Sequence, residues 1–190
     1  MKFTILITSY NKGKYLKKCI QSCLNQNKDN YEIILCDNFS DDGSRTILTE
    51  FENEIKIIKK KKVSKHGPVN QMDLIKEGLN ISKGDYICLL DGDDYFRSDK
   101  LKTLEKYLNI NKNLNMIFDL PEIKKKDYFK KLKIKKKYQK NIWPTIINTS
   151  SITIKKDFLI KFFKKKLFEN FDLLEIDFRL NVYSRCIDKK

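Results

Sequence analysis

A single histidine, His66, stands in a chain of 190 residues, so a histidine zinc site or a Ser-His-Asp triad has little to build on. The five cysteines (Cys19, Cys23, Cys36, Cys88, Cys186) are odd in number and include no Cys-x-x-Cys pair. That pattern points to a reducing compartment and not to a disulfide framework. No apolar run approaches the roughly 20 residues of a membrane span. Met1-Lys2 leads straight into a strand pattern, without a signal-peptide layout. No internal repeat and no Gly/Ser/Pro-rich linker divides the chain. The expectation is one domain over 1–190, cytoplasmic and able to sit peripherally on the inner face of the membrane.

Acidic residues are also in short supply, 25 against 40 Lys and Arg, which leaves a net charge of +15. Such an excess attracts anionic partners: a phosphorylated substrate, an acidic membrane surface or nucleic acid. A lysine-biased, solvated surface explains it equally well. The excess peaks between Pro121 and Lys140, where ten lysines meet only Glu122 and Asp127. Tyr128, Phe129 and Tyr138 lie in this block, but no RNA- or DNA-binding pattern surrounds them, so no nucleic acid is expected as partner. An anionic membrane surface is the expected partner of the block.

What is present is a folded chain, 41% hydrophobic and 12% aromatic. Phe3 to Thr8, Tyr31 to Cys36, Glu54 to Ile58 and Tyr86 to Leu90 read as strands, the first and last of them buried. Between them, helical spacing recurs in Tyr15, Leu16, Cys19, Ile20, Cys23 and Leu24, in Ile47, Leu48 and Phe51, and in Met72, Leu74, Ile75 and Leu79. Strands alternating with helices predict a mostly parallel sheet, with ligands outside the carboxyl ends of its strands. Ser98 is expected to cap a helix carrying Leu101, Leu104 and Leu108 inward. Met116 to Phe118, Trp143 to Thr149 and Ser150 to Ile154 read as extended. A final helix is expected to hold Leu174, Ile176, Phe178, Leu180 and Tyr183.

The stretch that organises the rest is Leu89-Leu90-Asp91-Gly92-Asp93-Asp94. Two carboxylates held together repel unless a cation lies between them. The natural occupant is a hard divalent ion whose shell substrate phosphates complete. Asp and Gly are also ordinary turn residues, and the tetrad alone leaves both readings open. Two further polar strand ends, Thr8 to Asn11 and Asp37 to Ser40, favour the first.

Together these residues resemble the family 2 glycosyltransferases, which have the GT-A fold, a Rossmann-like α/β/α sandwich with a mostly parallel central sheet. Thr4 to Asn11 with Tyr15-Leu16 is similar to that family's first strand and loop. Glu32 to Ser44 is similar to the second strand and its acidic loop, and Gly78-Leu79 with Ser82 to Asp94 to the segment ending in Asp-x-Asp. The likeness covers about the first hundred residues, taken as a nucleotide-sugar half over 1–95. Beyond it, 96–190 would form the acceptor-side half, with Glu175 to Leu180 similar to the helix that supplies the family's catalytic base.

The resemblance implies a metal-dependent, inverting transfer from a nucleotide-diphosphate sugar, a UDP-sugar by family habit, to a glycan or lipid-linked acceptor. Thr8, Ser9, Tyr10, Asn11, Asp37, Asn38, Ser40, Asp91 and Gly92 would bind the nucleotide sugar. Asp93 would hold Mg²⁺ or Mn²⁺, and Asp177 would be the base, with Glu175 as the fallback. Several positions depart from the family pattern: Thr8 replaces a proline, Asn38 an acid and Phe39 a glycine. Ile75-Lys76 replaces an Arg-Asn pair, whose contact Lys76 or another basic residue would supply, and Ile176 separates Glu175 from Asp177. A nucleotidyltransferase, or a basic binding module that has kept the fold without the chemistry, are the alternatives.

Overall fold

The computed structural model describes residues 1–125, 128–131, 148–167 and 169–187. Segment 143–147, with Trp143, and the 132–140 part of the basic block lie outside the described residues. Among the described residues the strands are β1 (Phe3–Ser9), β2 (Tyr31–Asp37), β3 (Lys56–Lys59), β4 (Tyr86–Asp91), β5 (Met116–Phe118), β6 (Glu122–Lys124), β7 (Phe129–Lys131) and β8 (Ile152–Lys155). Helices α1 (Gly13–Leu24), α2 (Ser44–Glu50), α3 (Gly67–Ile81), α4 (Lys100–Ile110), α5 (Lys156–Lys164) and α6 (Ile176–Val182) connect or follow them. The main sheet runs β3-β2-β1-β4-β8-β5, and β6 with β7 forms a separate ribbon.

Strands β1, β2 and β4 are buried on both faces because helices cover both sides, whereas β3 at the sheet edge is partly exposed. Ile5, Ile7, Leu35, Cys88 and Leu90 point to a layer of α1, α2 and α4 side chains, including Leu16, Leu48 and Leu104. Their neighbours Leu6, Ile34, Cys36, Ile87 and Leu89 point the other way, onto Leu74, Phe158 and Leu180 of α3, α5 and α6. The strand period of two sorts one continuous run into two cores. Gly78 permits the closest approach of α3: a Cβ there would lie 2.2 Å from Leu6 Cδ1 and 3.1 Å from Cys36 Sγ. The cysteines are free, and four of them are buried as small apolar groups.

Strands β3, β2, β1 and β4 are mutually parallel, whereas β8 returns antiparallel to β4. After β1 the chain builds outward through β2 and β3, then crosses back to place β4 on the other side of β1. The crevice between β1 and β4 is therefore the switch point at which such sheets bind ligands.

Four local expectations are corrected. Helix α4 begins at Lys100 with Asp99 at the capping position, and Ser98 does not cap it. The Ser98 carbonyl instead accepts the Asn27 N–H at 2.7 Å, tying this turn to the end of α1. Thr149–Ser151 is a single 3-10 turn, and extended structure starts only at Ile152. The last regular helix is shorter than its apolar spacing suggested: Tyr183–Ile187 continues as a wider π turn, and Leu174 precedes the helix. Glu175 occupies the capping position with extended φ and ψ of −63° and 149°.

Glu32 fastens the amino end of the sheet. Its carboxylate accepts from the Thr4 hydroxyl at 2.8 Å, from the Lys83 N–H, and from Lys56 Nζ at 2.7 Å. Burial alone would raise its pKa, but Lys56, the Lys83 N–H and Thr4 together outweigh burial and hold it below the ordinary value. On acidification the unfolded chain therefore takes up this proton first. The stabilisation is whole above the ordinary glutamate range and disappears as pH falls through the lower folded value. Glu32→Gln should cost about 1 kcal/mol at neutral pH and remove part of the acid-side fall in Tm, measured by thermal unfolding between pH 7 and 3. A parallel acid profile for parent and variant would refute this role.

Candidate functional site

The register of the sheet sets the first residues of the site side by side. Thr8 pairs with Asp91 across β1 and β4, and Ser9 pairs with Asp37 across β1 and β2. Gly92 follows, its N–H donating to the Thr8 carbonyl at 2.9 Å. A Cβ on Gly92 would lie 3.2 Å from Ser9 Cβ and Oγ, so the turn needs a small residue to pass beside β1. Asp93 projects beyond it, exposed, and the Asp94 N–H returns to the Asp91 carbonyl at 2.9 Å. The acid turn is thereby folded over the end of the crevice.

Asp91 is tightly held. Its Oδ1 accepts from Thr8 Oγ1 at 3.3 Å and from Gln71 Nε2 at 2.6 Å, and its N–H donates to Ser150 Oγ at 3.0 Å. Burial, followed by the nearby charges of Asp94 and Asp93, pushes its pKa up to about 7. The Thr8 hydrogen bond and the charge of Lys12 act in the opposite direction and are outweighed. Lys12 places its ammonium on Asp93, and that hydrogen bond raises its own pKa despite partial burial.

The neighbouring loop is stitched into the first. Asp37, 1% exposed, spends both carboxylate oxygens on its own turn: Oδ2 accepts the Ser40 N–H at 2.8 Å and Oδ1 the Ser40 hydroxyl at 2.6 Å. Ser40 Oγ accepts the Asn11 N–H at 2.8 Å, and the Asn11 side chain exchanges hydrogen bonds with Asp41 at 2.7 and 3.0 Å. Asp42 takes the Gly13 N–H at 2.8 Å and the Ser44 hydroxyl at 2.5 Å, joining the starts of α1 and α2. Asn11 and Phe39 adopt left-handed φ of 52° and 61°. Asparagine tolerates that region, whereas a bulky ring there costs about 1 kcal/mol or more, which explains why a glycine suits the Phe39 position. The Arg45 guanidinium lies 4.7 Å from the centre of the Phe39 ring.

Among the described residues, Ser9 Oγ and Asn38 Oδ1 are buried without a hydrogen-bond partner. Ser9 and Asn38 are joined through the backbone at 2.9 Å, so both atoms belong to the tips of β1 and β2. Buried orphans of this kind mark a place for a polar ligand. Tyr10 stands at the rim, 40% exposed, with Lys62 Nζ 3.3 Å from its ring centre.

The acidic turn also meets the chemical needs of a hard cation. Its donors are carboxylate oxygens, mutually repelling, with Asp93 open to solvent. Among the described residues no trio of His, Cys, Asp or Glu could hold a metal by itself. A site of this type keeps one or two carboxylates and takes phosphate oxygens and water for the rest.

Glu175 and Asp177 lie at the start of α6. Among the described residues, neither hydrogen-bonds nor ion-pairs with Thr8, Ser9, Asp37, Asp91 or Asp93. Asp177 Oδ1 accepts the Phe178 N–H at 2.6 Å, and burial raises its pKa; burial and the Asp177 charge raise that of Glu175. Arg179, 1% exposed, donates to the Leu174 carbonyl at 2.6 Å and to the Phe171 carbonyl, which fixes the turn carrying both acids. Asp172 in this turn comes within 3.9 Å of His66 at the start of α3, on the carboxyl side of the sheet.

Sequence spacing missed Lys12, Gln71, Asn148 and Ser150, which reach the acid turn from elsewhere in the chain. The expected substitute for the Arg-Asn pair is also not at the tips. Ile75 is core, and Lys76 lines a cavity of about 190 Å³ with Val63, Met72, Phe162 and Arg179. From α3 it is Gln71 that reaches Asp91.

The family model described as glycosyl transferase family 2 matches residues 4–169. The chain is 33% identical over 105 residues to a poly(ribitol-phosphate) beta-glucosyltransferase of Bacillus spizizenii, covering 53% of this chain and 16% of that one. It spans between 15% and 40% of the length of four such curated relatives. Its fold is similar to Staphylococcus aureus TarS 1–349 in complex with UDP-GlcNAc, with a TM-score of 0.63 at 16% identity, over 96% of this chain and 53% of that one. It is also similar to the mannosyltransferase PcManGT from Pyrobaculum calidifontis in complex with GDP-Man and Mn²⁺, with a TM-score of 0.63 at 15% identity, over 84% of this chain and 46% of that one. The architecture is thus the GT-A arrangement expected of the sequence.

Proposed function

Because the chain belongs to glycosyl transferase family 2, we propose that it transfers a sugar from a nucleoside-diphosphate sugar, a UDP-sugar, to a hydroxyl of a cell-surface glycan or glycolipid. One observation carries this reading: Thr8 beside Asp91 and Ser9 beside Asp37 gather at the sheet's switch point, with Asp93 just beyond. The unpartnered Ser9 Oγ and Asn38 Oδ1 are suited to the polar groups of the nucleotide. Thr8, Tyr10, Asn11, Asp37, Ser40, Asp91 and Gly92 would surround the bound nucleotide sugar. Asp37 and Ser40 act on the shape of the site, since each is engaged by the other.

Asp93 would hold Mg²⁺ or Mn²⁺ together with the diphosphate. When bound, such an ion neutralises charge building on the leaving group. Asp177 takes the proton of the acceptor hydroxyl as its oxygen bonds to the anomeric carbon. The bond from that carbon to the diphosphate breaks with its electron pair leaving on phosphate, so the anomeric carbon is inverted. Residues 1–95 serve the donor and 96–190 the acceptor within one domain. Relatives named for poly(ribitol-phosphate), an anionic polymer, accord with a basic acceptor side. No helix among the described residues is long and apolar enough to cross a membrane. The reading places the protein in the cytoplasm, its lysine-rich segment toward the anionic inner face of the membrane.

Thermal unfolding tests the donor site directly. UDP at a hundred times its Kd should stabilise the protein by about 2.7 kcal/mol, raising Tm by about 5 to 10 °C, and only with Mn²⁺ present. A rise with GDP but not UDP would change the base. No rise with any nucleoside diphosphate would remove the reading.

A further inference from the structure

Lys12 lies in the loop between β1 and α1, 81 positions before its partner, and its ammonium rests on Asp93 Oδ2. Its backbone is fixed as the first turn of α1: the Lys12 carbonyl accepts the N–H groups of Tyr15 and Leu16 at 2.8 and 2.9 Å. Only the flexible stem can move. Both side chains of the pair are 37% exposed, so solvent and ligand reach the contact. Asp91 differs in being held by Thr8, Gln71 and the turn around Ser150. Asp94 is held by Asn148 Nδ2 at 3.2 Å. Among the described residues, Asp93 is thus the carboxylate of the three that is paired with a lysine ammonium on a flexible stem.

An ammonium donates hydrogen bonds and accepts none, so it balances the carboxylate's charge while covering its oxygen. A divalent ion needs that same oxygen. We propose that Lys12 is an exchangeable counter-cation: it neutralises Asp93 in the ligand-free protein, yields that carboxylate to the divalent ion, and moves its ammonium to a diphosphate oxygen. The inference rests on the assignment of Asp93 as the metal-binding carboxylate. Two effects of opposite sign follow. Metal alone must displace the ammonium and binds more weakly than the bare acid turn would bind it. Nucleoside diphosphate offers the displaced ammonium a new anionic partner, so metal and nucleotide each tighten the other's binding by the same factor.

Lys12→Met keeps the stem and removes the charge. The pair is surface-exposed, so its loss costs at most about 1 kcal/mol of stability and the variant remains folded. Mn²⁺ binding is measured by titration calorimetry on the parent, Lys12→Met, Lys12→Arg and Asp93→Ala, without and with saturating UDP. Lys12→Met should bind Mn²⁺ alone about tenfold more tightly than the parent and lose about tenfold of the tightening that UDP produces. Lys12→Arg, which keeps the charge, should follow the parent on Mn²⁺ alone. Unchanged or weaker binding of Mn²⁺ alone by Lys12→Met overturns the exchange, while loss of the ion in Asp93→Ala leaves the metal assignment standing. If Asp93→Ala binds Mn²⁺ as the parent does, the assignment falls and the exchange with it.

Discussion

Asp93→Ala should lower kcat/KM for sugar transfer by about a thousandfold, a loss of roughly 4 kcal/mol of transition-state stabilisation. The size follows from where the carboxylate sits. Asp93 lies one residue past Gly92, which hugs β1, and so projects over the crevice instead of into the core. Its loss takes only an exposed side chain from the fold, but under the proposed function it takes the anchor of a dication from the reaction. Stability should therefore barely change, while saturation by Mn²⁺ moves to much higher concentration. Asp93→Asn, nearly the same shape without the charge, should resemble the alanine variant in rate. The measurement is turnover of a panel of nucleotide sugars against Mn²⁺ concentration. Parent-like turnover by Asp93→Ala would show that the acid turn is only a turn.

The second large effect concerns the proton acceptor. Asp177→Asn should reduce kcat by about 10² to 10⁴, with KM for the nucleotide sugar nearly unchanged, because the proposed donor residues belong to other elements. Glu175→Gln should have little effect. Burial raises the pKa of Asp177, and only the deprotonated carboxylate accepts a proton. The rate should therefore climb with pH through a range above that of an ordinary aspartate, and Asp177→Asn should lack this limb. Asp177 also lies in the first turn of α6, where a negative charge suits the helix dipole, so the variant should lose about 0.5 kcal/mol of stability as well. A fall in Tm without a fall in kcat would reduce Asp177 to a helix-end charge. A loss with Glu175→Gln instead would transfer the role to the residue at the capping position.

Spacing placed these two acids on one helix. Residues two apart on one helix point to different faces, and that argument allowed only one of Glu175 and Asp177 to serve. The structure changes the premise, since Glu175 is extended and outside α6. Whether a helix begins one residue earlier depends here on buried Arg179 closing the 171–174 turn through its carbonyls, a contact no local pattern reveals. Ser98 failed as a cap for a similar reason: its turn is bound to Asn27 at the end of α1.

Asp37 shows the same limit at the site itself. Its place at the end of β2 was readable, but its carboxylate is consumed by Ser40 three residues on. The buried oxygens that lack partners among the described residues there belong to its neighbours Asn38 and Ser9.

By itself the sequence determined the two-sided strands, the helices between them, the polar strand ends and the family, because each is written in a local period or a short run. Apolar residues must leave water wherever the chain goes, and Asp-Gly-Asp-Asp must turn after a buried strand. Only the tertiary structure decided that β4 returns beside β1, that β8 runs against it, and that Lys12, Gln71 and Ser150 converge on the acid turn. These contacts join residues 20 to 81 positions apart. Their existence depends on how two core layers pack across the sheet, which no period within one element encodes.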